Sequence, residues 1–248
     1  TPFLILFGAK LFFSTWDKVS HVGARTWLWI GMVVVIASTG LYAISYSSIY
    51  RGSHTAVRAS EWINHNAPTG SVILKEHWEE SLPGLQSYKT RELPMYNDDL
   101  PGKTRLLAEE LSKGDYLILY SNRLYGTIPR IPERYPMTTA YYQQLFSGNL
   151  GYELVNYQTT YPQLFNVALV NDTFSRPGIE EPHILRANKP AAISINLGFA
   201  DESFSVYDHP KVLVLANVKH YDAETIQQSI ETMSLGIYPS SQMANNHE

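Results

Sequence analysis

Residues 26–46 read TWLWIGMVVVIASTGLYAISY, a run without a single charged side chain. About 20 helical residues at ~1.5 Å rise cross the ~30 Å hydrocarbon layer of a bilayer. Trp27 and Trp29 stand at one end of the run and Tyr42 and Tyr46 at the other. That is where amphipathic rings settle at the headgroups. Arg25 precedes the run and Arg51 follows it, both placed to stay in water. The competing reading is a buried core helix, but such helices usually carry a polar stripe and rarely run this long. The sequence therefore predicts one spanning helix, and the rest of the chain is read outward from it. Residues 1–50 form a membrane segment, 51–238 a soluble α/β domain and 239–248 a disordered tail.

The stretch Pro2 to Phe13 is also apolar but short, and Lys10 interrupts it. It reads as the tail of a preceding spanning helix or as an interfacial helix. A cleavable signal peptide fits less well, because its charge would precede the apolar part. The chain opens at Thr1-Pro2, which suggests the C-terminal piece of something longer, or a processed product. Lys18 and Arg25 before the long run are nearly balanced by Arg51 and Arg58 after it, so charge does not fix the topology.

Composition narrows the function. The chain has 248 residues, 44% hydrophobic and 17% charged, with net charge −4. Nucleic-acid binding needs a clustered basic face, and this mild acidity gives no reason to expect one. With no cysteine, disulfides, thiolate zinc sites and thiol nucleophiles are all excluded. Tyrosine dominates the aromatics, 17 against 9 Phe and 5 Trp. It suits half-buried surfaces where the ring packs and the hydroxyl stays wet.

Beyond the membrane run the chain alternates. His54–Asn66 has helical spacing, with Ala56, Ala59, Trp62 and Ile63 on one side, and Ser71–Leu74 is a short β-rich run. Pro101-Gly102 opens a helix that Gly114 ends, and Tyr116–Tyr120 is an apolar strand suited to a sheet covered on both faces. Thr138–Phe146 reads as a helix; Glu153–Tyr157 and Phe165–Val170 read as strands. Phe204–Tyr207 and Val212–Ala216 read as a hairpin or bent strand pair around Asp208–Lys211, and Asp222 caps a last helix. Asn171–Ala191, rich in Pro, Gly and charge, reads as a long loop. The expectation is a spanning helix followed by a small mixed or mostly parallel α/β sandwich.

No P-loop, G-x-S-x-G elbow, H-E-x-x-H helix or Gly-rich dinucleotide loop is present, and no cofactor or metal is called for. Two polar clusters remain, each just after a predicted strand, where open α/β sheets place their ligand groups. In the first, Glu76, His77 and Glu79 offer carboxylates and an imidazole for acid, base or ligand-binding work. Otherwise it is a solvated loop with Trp78 packed beneath. In the second, Arg123 and Arg130, with Arg134 nearby, sit among tyrosines and suit a phosphate or sugar. Otherwise these arginines pair with Glu133 and neighbouring acids. The Asp208-His209 pair reads as a turn, not a catalytic dyad.

Three stretches carry a resemblance: Ala56 to Pro83, Ser121 to Gly126 with Ile131 to Pro136, and Asp201 to Lys211. Together they resemble the C-terminal region of polytopic dolichyl- or polyprenyl-phosphate-dependent glycosyltransferases, of the protein-mannosyltransferase-like part of the glycosyltransferase C superfamily and of the Chloroflexota type. The resemblance implies an extracytoplasmic domain in the cell membrane, and transfer of a sugar from a lipid-phosphate carrier by the whole protein. It places the catalytic acid in an early loop outside this chain, so it carries no catalytic residue onto these positions. What it implies here is an accessory role, contacting acceptor, polyprenyl-phosphate sugar or a membrane protein partner. The alternative is a non-catalytic assembly subunit of a membrane complex.

Overall fold

The computed structural model of the chain describes residues 2–171, 174, 179, 181–182, 185 and 190–237. The tail expected at 239–248 and most of the loop expected at 171–191 lie outside the described residues. The chain divides into two compact units, Thr1–Ser47 and Ser48–Glu248.

The first unit is two helices, α1 (Pro2–Lys18) and α2 (Val22–Ser47). At about 1.5 Å per residue, the 26 residues of α2 reach about 39 Å, more than the hydrocarbon layer needs. Among the described residues, α2 forms the apolar part of the one helical stretch long and apolar enough to cross a membrane, and only 6% of its apolar window is buried. A core helix would be covered; this one is not. Between the helices the rings of Phe12, Trp16 and Trp29 pack edge-on and stacked, and the Arg25 guanidinium lies 5.2 Å from the Trp16 ring centre.

The second unit is the α/β domain. Its elements are α3 (Thr55–Asn66), β1 (Val72–Glu76), β2 (Lys89–Leu93), α4 (Pro101–Lys113), β3 (Tyr116–Leu119), α5 (Pro136–Phe146), β4 (Tyr152–Gln158), β5 (Gln163–Leu164), β6 (Val167–Val170), β7 (Ile193–Asn196), β8 (Val212–Asn217) and α6 (Ala223–Ile237). The main sheet runs in the order β2-β1-β3-β8-β4. β2, β1 and β3 are parallel, while β8 is antiparallel to both β3 and β4. Four strands thus share one direction and β8 alone opposes them, which is the mixed sheet expected.

The sheet is apolar on both faces, and strand alternation sorts the side chains. Leu74, Leu117, Leu119, Leu213 and Leu215 join Leu107, Leu111, Tyr141, Leu145, Ile226 and Ile230 of α4, α5 and α6 in the larger core. Ile73, Ile118, Val212 and Val214 face the other way, onto Ala56, Ala59 and Ile63 of α3. Tyr125, Phe146 and Phe174 close the larger core, with Phe174 stacked 5.1 Å from Tyr125. In β4 the pairing with β8 slips between Leu154 and Asn156, a bulge that leaves Val155 the extra residue.

Three expectations change. Phe204–Tyr207 is not a strand; Glu202–Phe204 is a 3₁₀ turn capped by Asp201, so β8 has no hairpin partner there. Phe165 and Asn166 are not strand residues. Both have positive φ (47° and 63°) and make a two-residue hairpin loop between β5 and β6, the left-handed pair a tight hairpin needs. The strands β2 and β7 carried no clear sequence signal: every residue of β2 but Leu93 is exposed, as is every residue of β7. Strands that bury little show little alternation of apolar and polar residues.

Candidate functional site

Because β1 and β3 are parallel neighbours, the loops that follow them emerge side by side at one end of the sheet. Glu76 ends β1. It lies two residues after Leu74, so alternation turns it toward the larger core. It is fully buried there, and the Tyr141 hydroxyl donates to its Oε1 at 3.5 Å. Among the described residues, its other carboxyl oxygen has no hydrogen-bond partner. Loss of water pushes its pKa well above the ordinary carboxylate range, and nearby Glu79 adds to this.

Lys75 and His77 point the opposite way. Lys75 Nζ lies 2.8 Å from Glu92 Oε1 and His77 Nδ1 2.9 Å from Glu92 Oε2, a cross-strand cluster on the exposed side of the β1–β2 pair. Those bonds, Lys75 first, hold the Glu92 carboxyl below its usual pKa.

Glu79 follows in the turn after β1 and is 5% exposed. Ser121, at the end of β3, donates to both its oxygens at 3.0 and 3.2 Å. Burial pushes the Glu79 pKa up to about 7 against the pull of Ser121 and Arg123. The Arg123 backbone N–H donates to Ser121 Oγ at 3.1 Å, its Nε to Glu202 Oε2 at 3.1 Å, and its Nη1 to the Trp78 carbonyl at 2.9 Å. Arg123 therefore ties the β1 loop, the β3 loop and the turn at Glu202 into one surface.

The carbonyl that Arg123 holds belongs to a residue in an unusual state. Trp78 has φ 72°, the left-handed region that bulky side chains avoid, and the residue is 65% exposed. Strain of this kind persists only where the surroundings over-determine it, and it concentrates at working sites. The Trp78 carbonyl accepts from Arg123, which pairs with Glu202, and the Trp78 ring meets the His77 ring edge-on at 5.4 Å. Tyr96 and Tyr207, both exposed, lie close enough to share the electrostatic field of Arg123 and Glu202.

Of the five residues the sequence singled out, the structure gathers Glu76, Glu79 and Arg123. His77 turns away to Glu92. Arg130 ends the 3₁₀ turn Ile128–Arg130, exposed, with Asp201 in its field. Trp78 does not pack beneath the loop as expected but stands out from it. Arg123 pairs with Glu202, not Glu133. Glu202 is 79 residues from Arg123 in the chain, so no local pattern could have joined them. Tyr141 and Tyr142 of α5 were also missed, because an adjacent tyrosine pair inside a helix carries no chemical signature.

Glu76 and Glu79 are buried, 0% and 5% exposed, and brace the loops after β1 and β3. What faces solvent is an indole, a guanidinium, a carboxylate and two phenols. Among the described residues there is no group of three or more His, Cys, Asp or Glu able to hold a metal ion. Comparison of the chain with protein-family models, curated proteins and solved structures finds no match.

Proposed function

We propose that this chain is the membrane-anchored accessory part of a lipid-carrier-dependent glycosyltransferase-like protein. α2 spans the membrane, and the α/β domain stands on its extracytoplasmic side. There the surface around Trp78 contacts the sugar of acceptor or carrier, and the catalytic acid lies elsewhere in the protein. The observation that carries this reading is the exposed Trp78, in a strained backbone whose carbonyl accepts from Arg123 of the Arg123–Glu202 ion pair. Sugars present apolar C–H faces and rings of hydroxyls; a flat aromatic covers the first, while carboxylate and guanidinium bond the second. The polar exposed rim fits contact with a sugar. The resemblance of residues 56–83, 121–126 with 131–136, and 201–211 to such transferases points the same way.

The test is a pair of substitutions in the full membrane protein. Trp78→Gly removes the ring while relaxing the left-handed backbone, so the fold is retained. Arg123→Ala removes the guanidinium. Each is expected to weaken acceptor affinity about tenfold or more, the loss of one charged or aromatic contact, with the chemical step little changed. Transfer with unaltered acceptor affinity in both variants would sink the reading.

A second reading, an assembly subunit, has one observation in its favour. Ile193, Ile195 and Leu197 alternate along β7 and its end, all about half exposed, which makes an apolar strip. If this reading holds, Ile195→Glu reduces the size of the detergent-extracted complex and Trp78→Gly does not.

A further inference from the structure

We infer that the α/β domain holds a second, separate binding site, for a phosphate group, in the cleft at the carboxyl end of β4. The cleft encloses about 650 Å³, in the range of small-molecule sites. Its walls include Arg58, Gln158, Thr160, Tyr161, Gln163 and Lys211, and Glu181 is the one acid among the described lining residues.

The fold explains how these groups meet. β4 runs parallel to β1 and β3, so Thr159 and Thr160 leave the sheet at its carboxyl end, where α/β folds bind their ligands. β8 is antiparallel, so Lys211 enters the sheet at that same end, one residue before Val212, which pairs with Gln158. Arg58 reaches the spot from α3. Its Nη2 donates to the Thr159 carbonyl at 2.9 Å and to Thr160 Oγ1 at 2.8 Å, which fixes the guanidinium plane. Its Nε–H is buried and has no acceptor among the described residues. A buried guanidinium donor left without an acceptor costs free energy. With Nη2 committed to Thr159 and Thr160, the guanidinium offers an oxyanion its fixed positive charge and its remaining donors, not the full fork. Lys211, 6% exposed, brings a second cation; its ammonium lies 5.9 Å from the Tyr161 ring centre. Arg58, Lys211 beside Tyr161, and the hydroxyl and amide donors around them make a wall whose chemistry suits a phosphate ester.

The cleft also has a defined position along the chain. The backbone N–H of its lining residue Gln163 donates to Ser48 Oγ at 2.9 Å, and Ser48 is the residue that follows α2. A phosphate carried on a lipid headgroup and a soluble phosphate share the chemistry this wall recognises.

The experiment uses the full chain in lipid nanodiscs and needs no sugar-binding activity. Inorganic phosphate and inorganic pyrophosphate are titrated into phosphatidylcholine discs while the thermal unfolding midpoint is followed. In a second arm the discs contain phosphatidic acid. A saturable rise in the midpoint is expected. Arg58→Gln should weaken the response about tenfold or more. Gln158→Glu keeps both cations, adds a negative wall, and should weaken it comparably, so loss of response is separable from loss of fold. A response to phosphatidic acid alone assigns the site to a headgroup, whereas a response to the free anions assigns it to phosphate in general. No response in either arm, or equal responses in the wild type and both variants, overturns the site. Because Trp78 and Arg123 lie outside the cleft, this result and that of the sugar-contact test are independent.

Discussion

Glu79 shows how far one residue departs from its sequence. In the unfolded chain its carboxyl ionises near the ordinary 4.5, and in the fold burial holds the proton to about 7. Between those values the folded state binds more protons than the unfolded one, so stability falls as pH rises. The contribution is complete below pH 4.5 and is lost as pH passes through about 7, on the order of 3 kcal/mol. Glu76, raised in the same direction, adds to the slope. Thermal unfolding of the full chain in detergent is therefore expected to move to lower temperature between pH 5 and pH 8. Glu79→Gln, which keeps an acceptor for Ser121 without the charge, should raise the midpoint at pH 8 and flatten its pH dependence. A variant less stable than the wild type at pH 8 would mean that ionised Glu79 helps hold the fold, contrary to this account. Position in the chain told that these carboxyls follow a strand; that both are buried with raised pKa values depends on the elements that cover them, against the pull of the tyrosine and serine hydroxyls.

Among the elements, α4 and its end illustrate a right boundary reached for a partly wrong reason. The expectation that Gly114 ends the helix is met, since α4 stops at Lys113. The usual basis for such a glycine is a left-handed backbone, but Gly114 has φ −80°, which any residue adopts. Space requires it instead. A Cβ there would stand 2.5 Å from Leu74 Cδ1 and 2.8 Å from the Tyr152 hydroxyl. That hydroxyl donates to the carbonyls of Leu111 and Gly114 at 2.7 and 3.1 Å, closing the helix end onto β4. Gly114→Ala should accordingly cost about 1–3 kcal/mol by overpacking, read as a lower denaturation midpoint with an unchanged slope. A neutral Ala would show that Leu74 yields freely. Helices and central strands were legible because burial leaves a periodic apolar pattern. β2, β5 and β7 bury little, and β5 has two residues, so pattern had little to show.

For the molecule as a whole, the apolar run of α2 governs the behaviour of everything attached to it. Val34 lies in the middle of the run and is 58% exposed within its unit. The chain is expected to remain with membranes through alkaline carbonate extraction. Val34→Arg should release a large fraction, since a charged residue at a helix centre costs roughly 2.5–3.5 kcal/mol of insertion. Release of the unaltered chain by carbonate would refute the spanning helix and with it the membrane side of the proposed function. In the α/β domain the loops carrying Trp78 and Arg123 and the strand end near Arg58 and Lys211 share the carboxyl end of the parallel strands, so both proposed surfaces follow from one topological fact.

By itself the sequence determined what depends on local pattern. It showed the uncharged apolar run at 26–46, the alternation of helix and buried strand, the turns, and the exclusion of cysteine chemistry. Each of these is a property of neighbouring residues and of the water or lipid they would meet. The tertiary structure decided which distant groups touch: Arg123 with Glu202 and the Trp78 carbonyl, Glu76 with Tyr141, and Arg58 with the strand end near Lys211. It also decided that Trp78 stands outward in a left-handed backbone and that β8 runs against its neighbours. Charge state, burial and pairing are set by the three-dimensional surroundings of a group, and contacts between segments far apart in the chain leave no periodic trace in the order of its residues.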